Sequence, residues 1–291
     1  MDRRQFTKLA FLSGGLLSLL NGCRSLASSA MEPLPANASP EARKQRAGEL
    51  SDKAHQAFMQ TGDDFKMHGN EQIVMLIYPG FAALDLVGPH YLFASMMGAK
   101  IYLISSANDL KPVKSGEGLE ILPTHLQSQC PVAPDILFVP GGTDGTLQAM
   151  KNTVFIDFIK NRAAASKYVT SVCTGSLLLG KAGLLKGRKA TSHWVTLELL
   201  PAFGAIPVKE RVVWDGNLVT GGGVTAGIDF GLQMVAALRG RQYAEAIQLQ
   251  AEYDPMPPFA SGSIETAEPF VKDNLAAMFA PLIEKLRDVS P

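Results

Sequence analysis

Residues 168–180 read YVTSVCTGSLLLG. A short β-branched run stops at Cys173, and the small residues Thr174, Gly175 and Ser176 then open a helical pattern. A tight strand-to-helix reversal needs small neighbours, because it brings backbone segments together. The helix that follows points its N-terminus at the thiol. Unpaired N–H groups there favour thiolate, which predicts a lowered pKa. Two readings of Cys173 follow. It is a nucleophile at the end of a strand, or it is a packed core thiol, since cysteine is among the most buried residue types.

Working outward, the same texture recurs. QIVMLIY (72–78), KIYLISS (100–106) and DILFVPGG (135–142) are apolar runs of strand length. Continuous runs of this kind are strands covered on both faces. Helical patterns separate them. One covers 84–97, and another follows Asn152, where Phe155, Phe158 and Ile159 share a face. Residues 116–125, GEGLEILPTH, read as an extended excursion. ERVVWDGNLVTGGG reads as a hairpin turning at Asp215-Gly216. TAGIDFGLQMVAALRG is a helix stopped by Gly240. The alternation predicts an α/β fold with a mostly parallel sheet and helices on both faces.

The chain has 291 residues, 46% of them hydrophobic, which is enough for one sizeable core. Lys+Arg and Asp+Glu both number 27, so no basic stripe points to nucleic acid. Three cysteines without a CxxC pair and five histidines without HExxH spacing point to no metal. Residues 1–23 read as an export signal. Their apolar stretch, 9–20, is too short to span a bilayer as a mature helix. Arg3-Arg4-Gln5-Phe6-Thr7-Lys8 resembles a twin-arginine signal. Leu20-Asn21-Gly22-Cys23 resembles a lipobox, with Cys23 as the lipid acceptor. The alternative is an uncleaved anchor. Residues 24–70 read as a tether with a short helix around 40–59, 71–262 as the catalytic domain, and 263–291 as a C-terminal helix. The expected location is outside the cytoplasm, periplasmic or tethered to the membrane by lipid.

In an open α/β sheet, ligands sit outside the carboxyl ends of the strands. Two further loops share that rim with Cys173. In YPGFAALDLVGP, Asp85 is either a helix N-cap or a functional acid whose pKa burial would raise. In VPGGTDG, Gly141 and Gly142 form either an oxyanion-type cradle of N–H groups or a plain tight turn. Residues 221–226, GGGVTA, loosely fit a dinucleotide fingerprint but come late in the chain, and close chain packing is the favoured reading. Cys130 sits in a loop. A Cys130–Cys173 disulfide is conceivable outside the cytoplasm.

YPGFAALDLVGP, DILFVPGGTDG, SVCTGSLLLGKAGLLKGRKATSHW and LVTGGGVTAGIDFGL, in this order, resemble the ThiJ/PfpI family of the class I glutamine amidotransferase-like fold. The likeness covers roughly 72–259. It implies a flavodoxin-like topology, a homodimer and no cofactor. Within the family it points to members that hydrate an isonitrile to an N-substituted formamide. These pair an Asp of the first loop with a Cys-Thr at the elbow, here Asp85, Cys173 and Thr174. Thr174 and the Gly142 N–H would then hold the substrate nitrogen or the attacking water. Protease-like members carry His where Thr174 stands. His193 lies near the histidine of deglycase-like members, as a group behind the thiol or as a core histidine. Two alternatives remain: glyoxalase or deglycase chemistry on reactive carbonyls, and a non-enzymatic ligand- or redox-sensing domain. The stretch after Phe259 has no second helix pair and no basic face, which argues against DNA binding.

Overall fold

The structure is a computed structural model that describes residues 38–290. The expectations for the export signal, the lipobox and Cys23 lie outside the described residues. The chain divides into two units, Met1–Gln60 and Thr61–Pro291. In the first, helix α1 spans Pro40–Met59. Ser39 Oγ caps it by accepting the Ala42 N–H at 3.1 Å, and Pro40 takes the first helical position, where a missing N–H costs nothing.

The second unit is built on strands β1 (Gln72–Ile77), β2 (Lys100–Ser105), β3 (Val113–Lys114), β4 (Glu120–Ile121), β5 (Ile136–Val139), β6 (Tyr168–Val172), β7 (Lys189–Ala190), β8 (Ile206–Pro207), β9 (Val212–Asp215) and β10 (Leu218–Gly221). The helices are α2 (Ala83–Ala94), α3 (Asp144–Lys151), α4 (Thr153–Ala163), α5 (Gly175–Lys181), α6 (Ala226–Arg239), α7 (Arg241–Gln250) and α8 (Pro269–Val289). Six strands form the central sheet in the order β2-β1-β5-β6-β10-β9, parallel except for β9. Every residue of β5 is buried, as the continuous apolar runs require of strands covered on both faces. Helices α2, α6 and α7 pack on one another, and α3, α4, α5 and α8 form a second group.

The direction of winding reverses between β1 and β5. From β1 the chain moves outward to β2; from β5 it moves the other way, to β6 and β10. A crevice opens at such a switch point, outside the carboxyl ends of the strands. The loops after β1 and β5, and the turn after β6, meet there.

Several local expectations shift. The helix expected over 84–97 ends at Ala94: Ser95 Oγ bonds back to the Tyr91 carbonyl at 2.8 Å, and Gly98, at φ +86°, turns the chain into β2. The excursion after residue 116 forms strand only at β4, which pairs with β3, and His125 bridges to Ile104. Helix α3 was not foreseen. Gly145 in its first turn lowers helix propensity, yet a Cβ there would stand 2.3 Å from Gly80 O. Gly80 itself lies at φ +79°. Close backbone approach, not propensity, selects glycine at both positions.

Candidate active site

Strand β6 ends one residue before Cys173, because Cys173 takes φ +58°, which a non-glycine residue adopts only under strain. Its N–H donates to Gly221 O at 3.0 Å. Its carbonyl accepts Ser176 Oγ at 3.1 Å and Ser192 Oγ at 3.2 Å. Glycine is obligatory two residues on: a Cβ at Gly175 would fall 2.3 Å from Val139 O. The reversal is thus clamped from both neighbouring strands and from the loop after β7. Cys173 is 6% exposed, buried but not sealed.

Asp85 lies in the first turn of α2 and is fully buried. It is not the N-cap. Ala82 holds that position without a side-chain cap, and Asp85 points inward instead. Oδ2 accepts the Gly141 N–H at 2.9 Å, while Oδ1 is buried without a hydrogen-bond partner among the described residues. Burial pushes this carboxyl up to about 7, against the Gly141 N–H and the Cys173 thiol, which pull it down. The two functional groups perturb each other. Burial, and then the Asp85 charge, push the Cys173 thiol well above its ordinary range, and the Thr174 N–H opposes this. The lowered thiol pKa expected from the helix terminus is therefore corrected. A helix of seven residues does not outweigh the loss of water around sulfur.

The Gly141-Gly142 N–H groups are engaged within the protein. Gly141 N–H holds Asp85, and Gly142 N–H donates to Thr174 Oγ1 at 2.9 Å. That hydroxyl donates to the Gly142 carbonyl at 2.7 Å and lies 2.8 Å from Thr146 Oγ1. Its hydrogen-bonding capacity is filled. Thr174 binds the loop after β5 to the elbow, and its N–H, with its hydroxyl behind it, faces the sulfur and draws the thiol pKa down. Both glycines are required by contact. A Cβ at Gly141 would stand 2.6 Å from Thr174 N and 2.7 Å from Asp85 Oδ2, and one at Gly142 would stand 2.4 Å from Gly80 O.

The structure brings Cys173, Asp85, Thr174, Gly141 and Gly142 together. His193 is half-buried between the rings of Trp194 and Phe279, with centroids at 5.8 and 6.1 Å. Burial pushes its pKa down, so it is neutral. No hydrogen bond joins it to Cys173 among the described residues; its neighbour Ser192 makes that link. Cys130 and Cys173 are both free thiols, so the conceivable disulfide is not formed. Gly221 accepts the Cys173 N–H, and a Cβ on it would stand 3.1 Å from Val172, which assigns the GGGVTA stretch to packing. Among the described residues, no group of three or more His, Cys, Asp and Glu is placed to hold a metal, and no helix is long and apolar enough to cross a membrane.

Sequence reasoning missed three residues. Tyr78 Oη donates to Pro140 O at 2.8 Å and lies 3.1 Å from Thr146 Oγ1. A tyrosine closing a buried strand needs such partners, which was the available signal. Ser192, next to His193, carried none. Thr146 was hidden by the unforeseen α3.

A thiol on a strained strand-to-helix turn, a buried carboxyl from the neighbouring loop and a sheet wound both ways from β1 and β5 define a flavodoxin-like protein of the class I glutamine amidotransferase-like fold. The chain belongs to the DJ-1/PfpI family, whose profile matches residues 71–237. It is 50% identical to isonitrile hydratase of Pseudomonas putida over 216 residues, which cover 74% of this chain and 92% of that one. A crystal structure of a ThiJ/PfpI family protein from Pseudomonas syringae superposes with a TM-score of 0.76 at 52% identity, covering 78% of this chain and 93% of that one. The HTH-type transcriptional regulator GbdR of Pseudomonas aeruginosa is 28% identical over 190 residues, 63% of this chain and 51% of the regulator. The similarity to isonitrile hydratase supports an isonitrile-hydratase-like enzyme function.

Proposed function

We propose that the chain hydrates isonitriles, R–N≡C, to N-substituted formamides, with Cys173 as nucleophile and Asp85 as the single proton carrier. The observation that carries this reading is the buried, unpartnered Oδ1 of Asp85 beside the elbow thiol. Asp85 gives up its proton near 7 and its charge then holds the thiol's proton in place, so above about 7 the pair shares one proton. In the reactive arrangement the proton sits on Asp85 and the sulfur is anionic. Asp85 gives the proton to the terminal isonitrile carbon as the C–S bond forms there, leaving a thioimidate and a carboxylate. The carboxylate takes a proton from water as hydroxide adds to the same carbon, and passes it to nitrogen. It then takes the hydroxyl proton as the C=O bond forms and the C–S bond breaks. The formamide leaves, and the pair again holds one proton. A carboxyl with a pKa of about 7 suits both halves of this cycle. The Thr174 N–H lies beside the sulfur throughout and stabilises its charge. The Thr174 hydroxyl acts as a strut.

The test is turnover of cyclohexyl isocyanide with product identified by mass spectrometry. Loss in Cys173→Ala supports the scheme. Unchanged turnover in that variant, or methylglyoxal turnover exceeding isonitrile turnover, overturns it. The leader motifs support export with lipidation at Cys23, tested by mass spectrometry of the mature N-terminus. The family resemblance supports a homodimer, tested by light scattering.

A further inference from the structure

The turn between β3 and β4 takes no part in the chemistry above, yet it is seated on the first loop of the site. Gly80 N–H donates to Lys114 O at 2.8 Å, Gly116 N–H to Phe81 O at 2.9 Å, and Ala83 N–H to Glu117 Oε2 at 3.0 Å. The turn is itself fixed. Ser115 N–H donates to Leu119 O at 2.8 Å, and Leu119 N–H to Ser115 Oγ at 3.1 Å. Ala83 is the first residue of α2, and Ala82 before it offers no capping side chain. An orphan N–H of the helix start is therefore met by a carboxylate from another part of the chain.

Asp85 lies two residues further along the same turn. The positive end of a helix draws the proton off an acid placed there, and a second negative charge on the terminal N–H opposes that pull. Glu117 keeps its charge. Partial burial pushes its pKa up, but the Ala83 N–H, its own N–H and the Ser115 hydroxyl outweigh this and hold it below the ordinary carboxylate range. Three titratable groups face Asp85: Cys173 from the elbow, Tyr78 from the end of β1 and Glu117 from the turn. Of the three, Glu117 carries a full charge at neutral pH.

We infer that Glu117 is a positioning residue for Asp85. It anchors the start of α2 and sets a fixed negative charge beside the cleft, so that Asp85 keeps its proton to higher pH than the elbow and first loop alone allow. The inference rests on the reading of Asp85 as the proton-carrying partner of Cys173, but its test needs no isonitrile.

The experiment follows alkylation of Cys173 by iodoacetamide on the full chain, resolved from Cys130 by peptide mass spectrometry, from about pH 5 to about pH 9. Wild type, Glu117→Gln and Glu117→Ala are compared. The wild-type rate profile is expected to inflect near 7, where Asp85 titrates. Glu117→Gln keeps an acceptor for the Ala83 N–H but removes the charge, and is expected to move the inflection down by roughly half a pH unit. High ionic strength is expected to move the wild-type inflection the same way, because Glu117 is exposed. Glu117→Ala is expected to show the same shift and a lower Tm, the added effect of losing the anchor. An inflection unmoved in Glu117→Gln overturns the inference, whatever the isonitrile assay shows. A moved inflection in a protein that hydrates no isonitrile leaves the inference standing and removes the proposed function. A wild-type profile with no inflection near neutrality overturns both.

Discussion

Replacing Asp85 by Asn should stabilise the protein while disabling it. Asn keeps an oxygen for the Gly141 N–H and loses the charge. In the folded chain, burial moves the Asp85 pKa from 3.8 to about 7. Below the lower value the carboxyl is protonated in both folded and unfolded states and costs nothing. Between the two, the unfolded chain ionises and the folded chain does not. Stability attributable to Asp85 therefore falls as pH rises, by about 1.4 kcal/mol per pH unit, and levels off above the folded pKa. Across the whole window the penalty is about 4 kcal/mol. Urea unfolding of wild type and Asp85→Asn through this range should show a gap that widens up to neutrality and then stays constant. At about 2–4 °C per kcal/mol for a domain of this size, the variant should melt roughly 10 °C higher at pH 8. Turnover should drop about 10²- to 10⁴-fold, the usual contribution of a general acid–base group. A stability difference that does not change between pH 5 and 8 would refute the claim that a buried, protonatable carboxyl sits at the cleft.

Cys173→Gly and Cys173→Ala should both abolish turnover, and the glycine variant should be the more stable of the two, since both lose the buried thiol but only glycine accepts the φ of +58°, a strain of about 1–2 kcal/mol; thermal unfolding of the two variants checks this. Gly141→Ala should drive its Cβ against Asp85 Oδ2 and the Thr174 N–H, lowering stability by about 1–3 kcal/mol and activity far more; denaturant unfolding and kcat/KM measure the two effects. Thr174→Val should leave the Gly142 N–H and C=O without their partner, a loss of about 1–3 kcal/mol. Thr174→Ser should recover most of that loss, and a Ser variant as unstable as Val would contradict the strut assignment.

Much of the architecture was legible because strands buried on both faces leave continuous apolar runs, and β1 and β5 have them, while β2 and β6 carry shorter apolar or β-branched runs. The hairpin between β9 and β10 was legible, but its turn falls one residue later than expected, at Gly216-Asn217, because Asp215 pairs with Leu218; the stop at Gly240 was legible because a single residue dictates backbone geometry there. Helix α3 was not, because Gly145 answers to a distant backbone at Gly80 that no local pattern encodes. The same limit applied at the site. The sequence places Cys173, Asp85, Thr174, Gly141 and Gly142 on one rim, since strand ends and small residues mark it, and the fold brings these five together. Their hydrogen-bond assignments were not found. That Thr174 is saturated by Gly142 and Thr146, and that the glycine N–H groups hold protein rather than substrate, depends on which loops face each other. The sign of the thiol shift was missed for a related reason. Proximity to a helix start can be read along the chain, whereas the amount of water excluded from sulfur is a property of the assembled core.

The contact of Gly80 with Gly142 and Gly145 bears on how this scaffold can be diversified. Two segments of the rim touch there through main-chain atoms, with no side chain between them to adjust. A library that randomises these positions would sample misfolded chains before new specificities. Variation is better spent at exposed apolar positions such as Leu84, next to Asp85, and Leu119, two residues beyond Glu117, which can be reshaped without moving the rim itself.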